Sequence, residues 1–191
     1  SALEKCRTII ESELLDHGYY IYGWKQVPIN NSVIGDKANS TRPEIEQVMF
    51  VNNLERENNF DFAKELYLIR RRLEKRIQKQ QISDFYVCSL SFDSIIYKGL
   101  FLAEQLAIFY PDLANKNFTS SYALFHQRYS TNTFPSWGLA QPFRMLAHNG
   151  EINTISGNTN WMRNHQTRIA GEIFGEDSEQ VKPIIEKNVS D

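Results

Sequence analysis

Two short stretches carry residues able to grip an anion and to stabilise an oxyanion: Phe125-His-Gln-Arg-Tyr-Ser-Thr-Asn-Thr133 and Ala147-His-Asn-Gly-Glu-Ile-Asn-Thr154. In the first, Arg128 stands beside the short donors Ser130, Thr131, Asn132 and Thr133. A guanidinium fork matches a carboxylate bidentately. Taken alone, an arginine beside a turn is as readily a solvated surface residue. In the second stretch, Gly150 follows the amide side chain of Asn149, and a residue without Cβ lets its backbone N–H approach a ligand closely. Such an amide and N–H can stabilise a developing oxyanion. The same two residues, read alone, fit an ordinary Asn-Gly turn closing a hairpin.

Both stretches need elements to hold them. Leu3, Cys6, Ile10 and Leu14 recur at spacings of three and four, which predicts a helix over residues 3–17 that Gly18 ends as a C-cap glycine. Residues 19–27 are β-branched and aromatic up to Pro28 and predict a strand, followed by a loop at 30–35. A second strand is expected over 45–51. Phe62, Leu66, Ile69, Leu73 and Ile77 mark a long amphipathic helix ending near residue 79. Residues 85–90 and 94–98 read as hairpin strands joined across 91–93, and residues 100–109 as a short helix before Pro111. Two more strands, 122–129 and 143–147, are expected to deliver the two polar stretches at their ends. Residues 156–169 have helical polarity, and 171–191 are charged and irregular. The order predicts an α+β layering around a mainly antiparallel sheet.

Composition narrows the class. The chain has 191 residues, of which 41% are hydrophobic, 13% aromatic and 23% charged, an ordinary globular mixture with enough aromatic mass for one packed core. A net charge of -2 gives no global attraction to nucleic acid or an anionic membrane. No apolar run approaches the roughly 18 residues of a membrane span, and no signal-peptide pattern opens the chain, so the reading is soluble and intracellular. Cys6 and Cys88 show no C-x-x-C or Cys/His spacing, and His17, His126, His148 and His165 show no ligand spacing, so neither a disulfide framework nor a metal site is expected.

Jointly, these motifs resemble the glutaminase domain, or class II glutamine amidotransferase domain, of glutamate synthase. The likeness extends through Tyr22-Gly-Trp-Lys-Gln-Val-Pro28, Pro43-Glu-Ile-Glu-Gln-Val48, Phe85-Tyr-Val-Cys-Ser-Leu90, Tyr97-Lys-Gly-Leu100 and Thr131-Asn-Thr-Phe-Pro-Ser-Trp137, with Arg128 to Trp161 the longest specific stretch. The resemblance implies an N-terminal-nucleophile hydrolase fold, a four-layer αββα sandwich, in which an N-terminal cysteine attacks the glutamine side-chain amide. It implies that Arg128, assisted by Thr131, holds the glutamine α-carboxylate and that Asn149 and Gly150 form the oxyanion hole. It further implies that Asp191, in Val189-Ser190-Asp191, binds the α-ammonium, which would let the pocket recognise both charges of the amino acid.

The family's opening cysteine has no counterpart here. Cys6 lies on a helical face, Cys88 within a strand pattern, and Ser1 opens a helix in an interior register. Residues 1–191 are therefore expected to form a partial glutaminase domain, incomplete at its N-terminus and C-terminus. Alone it should hydrolyse glutamine at no more than background, and apolar surface left uncovered would favour self-association.

In the full parent, the resemblance implies ammonia passing to a site where 2-oxoglutarate is aminated with FMN, an iron–sulfur cluster and NAD(P)H or ferredoxin, in cytoplasm or plastid. The parent's remaining domains are then partners. The chain itself has no phosphate-cradling loop or cysteine cluster and is expected to bind none of these cofactors. Two alternatives stay open. The basic stretch Arg70, Arg71, Arg72, Lys75, Arg76 and Lys79 would suit a nucleic-acid-binding helix, although a solvated helix face explains it more simply. Another class II amidotransferase would share the pocket residues.

Overall fold

The computed structural model describes residues 1–52, 58–129, 134–140 and 155–185. Helix α1 (Ala2–Asp16) begins where the Ser1 side chain accepts the Glu4 N–H and the Glu4 side chain reaches back, a capping box. It stops at His17, after which Gly18 takes φ 79°, a left-handed conformation that glycine adopts without a Cβ penalty. Strand β1 (Tyr19–Gln26) follows, then a short helix α2 (Asp36–Ser40), and β2 (Glu46–Asn52) returns antiparallel to β1. The pairing runs from Tyr19 opposite Asn52 to Gln26 opposite Glu46, with a bulge between Ile21 and Gly23. The extra residue, Tyr22, shifts the alternation of β1 by one, so that the covered face passes from Tyr19 and Ile21 to Trp24.

One face of this pair is covered along its length, while the other is covered only at one end, where Lys25 and Gln47 donate to Asp112 and Tyr97. On the covered face Tyr19 is buried, Ile21, Val48 and Phe50 pack beside it, Trp24 Nε1 donates to Glu11 of α1 at 2.6 Å, and Arg7 of α1 pairs with Glu46. On the opposite face Tyr20, Tyr22, Met49 and Val51 are exposed, Tyr22 at 71%.

Helix α3 (Asn59–Lys79) is capped by the Asn58 side chain on the Asp61 N–H and spans the molecule. Its residues Leu66, Ile69, Leu73 and Ile77 are buried with Cys6, Leu14 and Tyr19, forming the first core, and Phe62 packs against it. A second core gathers Val27, Phe109, Tyr110 and Trp137, around the short helix α4 (Leu106–Phe109). Helices α5 (Ile155–Phe174) and α6 (Ser178–Val181) dock on α3 through Leu68, Ala170 and Val181.

The helices expected at 3–17 and through residue 79 and the strands at 19–27 and 45–51 are present. The helix expected over 156–169 is longer, and that over 100–109 is shorter, preceded by a 3₁₀ turn at Ala103–Gln105. The strands expected at 85–90, 94–98 and 122–129 do not form. A strand needs a ladder partner, and among the described residues β1 and β2 are the sole pair. Residues 85–90 run between the two cores instead: Phe85, Val87 and Leu90 pack on the first, Tyr86 on the second. In 122–129, Tyr122, Leu124 and Phe125 are exposed. The strand expected at 143–147 lies outside the described residues. The mixed helix-and-sheet class holds, with one two-stranded sheet among the described residues.

Candidate functional site

Of the residues singled out by sequence, Arg128 is described; Thr131, Asn149, Gly150 and Asp191 lie outside the described residues. Arg128 is exposed, and its backbone N–H is donated to His126 Nδ1 at 3.1 Å. The next residue ties this segment to the protein: Tyr129 Oη donates to the Gly99 carbonyl at 3.1 Å. Burial holds the Tyr129 phenol neutral, raising its pKa to about 12.

Downstream, Trp137 is buried in the second core and donates Nε1 to the Ala38 carbonyl at 3.0 Å. Residues 136–140 close into tight turns there, with Leu139 N–H on Ser136 O and Ala140 N–H on Trp137 O. The Gly138 carbonyl accepts Lys98 Nζ at 2.9 Å. Lys98 is 7% exposed, and its ammonium also lies 5.0 Å from the centre of the Tyr86 ring. Desolvation lowers its pKa. The Lys98 carbonyl in turn accepts the buried Tyr110 hydroxyl at 2.8 Å.

Gly99 is fixed by close approach. A Cβ there would lie 2.5 Å from Phe101 Cε1 and 2.5 Å from Trp137 Cζ3. Tyr97-Lys98-Gly99-Leu100 therefore forms the seat on which Tyr129, Trp137 and Gly138 rest. Sequence reasoning did not single out Lys98, Gly99 or Tyr129 as parts of a site. Their signal was present in the adjacency of a lysine and a glycine in an aromatic stretch, but that pattern names no function until the fold brings residue 138 to residue 98.

The two thiols are poorly placed for nucleophilic chemistry. Cys6 is buried on α1 and Cys88 is half-buried, and in both desolvation raises the pKa and disfavours the thiolate; at Cys88, Lys98 and Arg70 offset part of the rise. Among the described residues no group of three or more His, Cys, Asp and Glu side chains could hold a metal ion, and no helix is long and apolar enough to cross a membrane.

Most of the basic stretch of α3 is engaged within the protein, Lys79 being exposed. Arg70 and Arg71 pair with Glu74, and Arg71 also donates to the Pro183 carbonyl. Arg72 pairs with Asp177, Lys75 donates to the Glu179 carbonyl, and Arg76 pairs with Glu13 of α1. These cations hold α1, α3 and the α5–α6 region together, which leaves a phosphate backbone little to engage.

Comparison with known proteins places these observations in a family. The chain is 60% identical over 190 residues to the large chain of the NADPH glutamate synthase of Azospirillum brasilense, covering 100% of this chain and 12% of that protein. It is 41% identical over 189 residues to the chloroplastic ferredoxin-dependent glutamate synthase of Spinacia oleracea, covering 98% of this chain and 12% of that one. With the NADH glutamate synthase of Saccharomyces cerevisiae it shares 42% identity over 193 residues, 99% of this chain and 9% of the yeast protein. The chain thus spans about an eighth or less of the length of these relatives. The sequence profile of glutamine amidotransferases class-II matches residues 1–191 from end to end, so the chain belongs to the class II glutamine amidotransferases.

Proposed function

We propose that these residues form the glutamine-binding part of the amidotransferase domain of a glutamate synthase. The observation that carries the reading is the family match over the whole chain. The exposed Arg128, next to a firmly tethered Tyr129, supports it. In this reading Arg128, assisted by Thr131, takes the α-carboxylate of glutamine, and Asp191 takes the α-ammonium. Asn149 and the Gly150 N–H stabilise the oxyanion formed as the side-chain amide is attacked. With both local thiols shielded, the attacking thiolate comes from a residue outside these 191.

The finer fold is the four-layer αββα sandwich. Its support is the exposed apolar face of the β1–β2 pair, where Tyr20, Tyr22, Met49 and Val51 suit a second sheet stacked face to face. In the isolated chain that face would favour self-association.

The parent protein would pass the released ammonia to 2-oxoglutarate. FMN, an iron–sulfur cluster and NAD(P)H or ferredoxin would act in its other domains, in cytoplasm or plastid. The relatives' names, which include NADPH-, NADH- and ferredoxin-dependent enzymes and chloroplastic ones, support this.

The test is glutamine hydrolysis by the full-length protein. Arg128→Ala should raise the KM for glutamine roughly 10- to 150-fold, the loss of one charge-assisted contact. An unchanged KM would remove Arg128 from the pocket. The 191-residue chain alone should release ammonia at background rate.

A further inference from the structure

Tyr129 and Gly138 meet the rest of the protein through directional contacts that converge on one dipeptide. Tyr129 Oη donates to Gly99 O at 3.1 Å, and Lys98 Nζ donates to Gly138 O at 2.9 Å. Lys98 and Gly99 are consecutive, so one point in the chain receives both a contact just after Arg128 and one just after Trp137. The dipeptide is itself held by Tyr110, whose buried hydroxyl donates to Lys98 O. Trp137 wedges against Gly99 and donates to Ala38 O.

A buried ammonium is costly, and an apolar side chain of similar volume would fill the same space at less desolvation cost. What Lys98 supplies that such a side chain cannot is direction: a strong donor aimed at the Gly138 carbonyl. The tyrosine hydroxyl likewise adds a fixed point that a phenyl ring lacks.

We propose that Lys98 and Tyr129 are positioning residues for the carboxylate clamp, with Tyr129, the neighbour of Arg128, and Gly138 both held on one dipeptide; this rests on the glutamine-binding reading above. Neither residue touches the reacting atoms. Their contribution is to keep Arg128 at a fixed distance and angle from the remainder of the pocket, where a displacement of a fraction of an ångström weakens a bidentate contact.

The experiment is steady-state glutamine hydrolysis by the full-length protein carrying Tyr129→Phe, Lys98→Met or Tyr19→Phe, with thermal unfolding followed in parallel. Tyr19→Phe is the structural control, because it deletes a tyrosine hydroxyl contact, to Glu65, in the first core. The expected result is a glutamine KM raised about three- to tenfold by Tyr129→Phe and by Lys98→Met with kcat within about twofold, and a KM unmoved by Tyr19→Phe. If all three variants shift KM in proportion to their loss of Tm, the role is general stability and the proposal fails. If the parent hydrolyses glutamine and neither Tyr129→Phe nor Lys98→Met moves KM, the proposal fails while the functional reading stands. If the unsubstituted parent hydrolyses no glutamine, the functional reading falls and this inference with it.

Discussion

At the scale of single residues, the site was legible in kind but not in its support. Arg128 drew notice through the family resemblance, since an arginine beside a turn, read alone, is as readily a solvated surface residue, and it is exposed. Lys98 was not recognisable, because burial of its ammonium depends on residue 138 arriving from forty positions away. Gly99 offers a sharp check. Phe101 and Trp137 both stand 2.5 Å from where an alanine Cβ would sit, and Trp137 is locked in the second core. Gly99→Ala should therefore destabilise the protein by about 1–3 kcal/mol, measurable as a lower midpoint of denaturant unfolding. Because the tryptophan must move, its fluorescence should shift as well. An alanine variant as stable as the parent, with unchanged emission, would show that Trp137 does not press on this backbone.

At the scale of elements, periodicity spoke clearly wherever it was long. All five apolar positions that marked α3 lie in or against the first core, since 21 residues give the 3.6-residue repeat room to declare itself. Ile69, fully buried, is the natural probe: Ile69→Ala should cost about 2–5 kcal/mol of stability in chemical denaturation. The strand expectations at 85–90 and 94–98 failed for a different reason. Their side chains have β character, but a strand is a relation between two segments, and aromatic packing into the two cores uses these residues without a ladder. The basic run on α3 misled in the opposite sense, its charge being locally dense yet largely satisfied internally. Removing the Asp177 end of one link should loosen the α5–α6 region alone: Asp177→Ala, which leaves the Arg72 contacts to His17 and Glu13 in place, should raise amide exchange at residues 175–181 while leaving exchange in α1 largely unchanged. Uniform acceleration across both regions would contradict that local role.

At the scale of the whole molecule, the second core concentrates phenols. Tyr86, Tyr97, Tyr110 and Tyr129 are each held neutral chiefly by burial, and for Tyr129 the pKa rises from 10.0 to about 12. A group whose folded pKa lies above its unfolded value contributes stability that is intact below the unfolded value and is lost as pH rises through the folded one. Stability should therefore hold up to about pH 10 and fall steeply between 10 and 12. Tyrosinate absorbance from these four, as distinct from the exposed Tyr20, Tyr22 and Tyr122, should appear together with the loss of ordered structure, not before it. A smooth titration of all tyrosines near pH 10 in the folded protein would rule out this arrangement. Lys98 acts with the opposite sign: desolvation lowers its pKa, so the penalty for burying its charge fades as alkalinity grows, partly masking the phenols.

The stretch at residues 85–90 has a further implication for how the molecule comes apart. Adjacent side chains of one extended segment feed different cores, Phe85 and Val87 one, Tyr86 the other. Such a segment is a shared splint: neither core can melt without stripping support from its neighbour. The seat at Lys98 and Gly99 therefore borrows its rigidity from a helix pair well away from it, and a substitution deep in that pair would loosen the hold on Tyr129 and Trp137 without ever touching them.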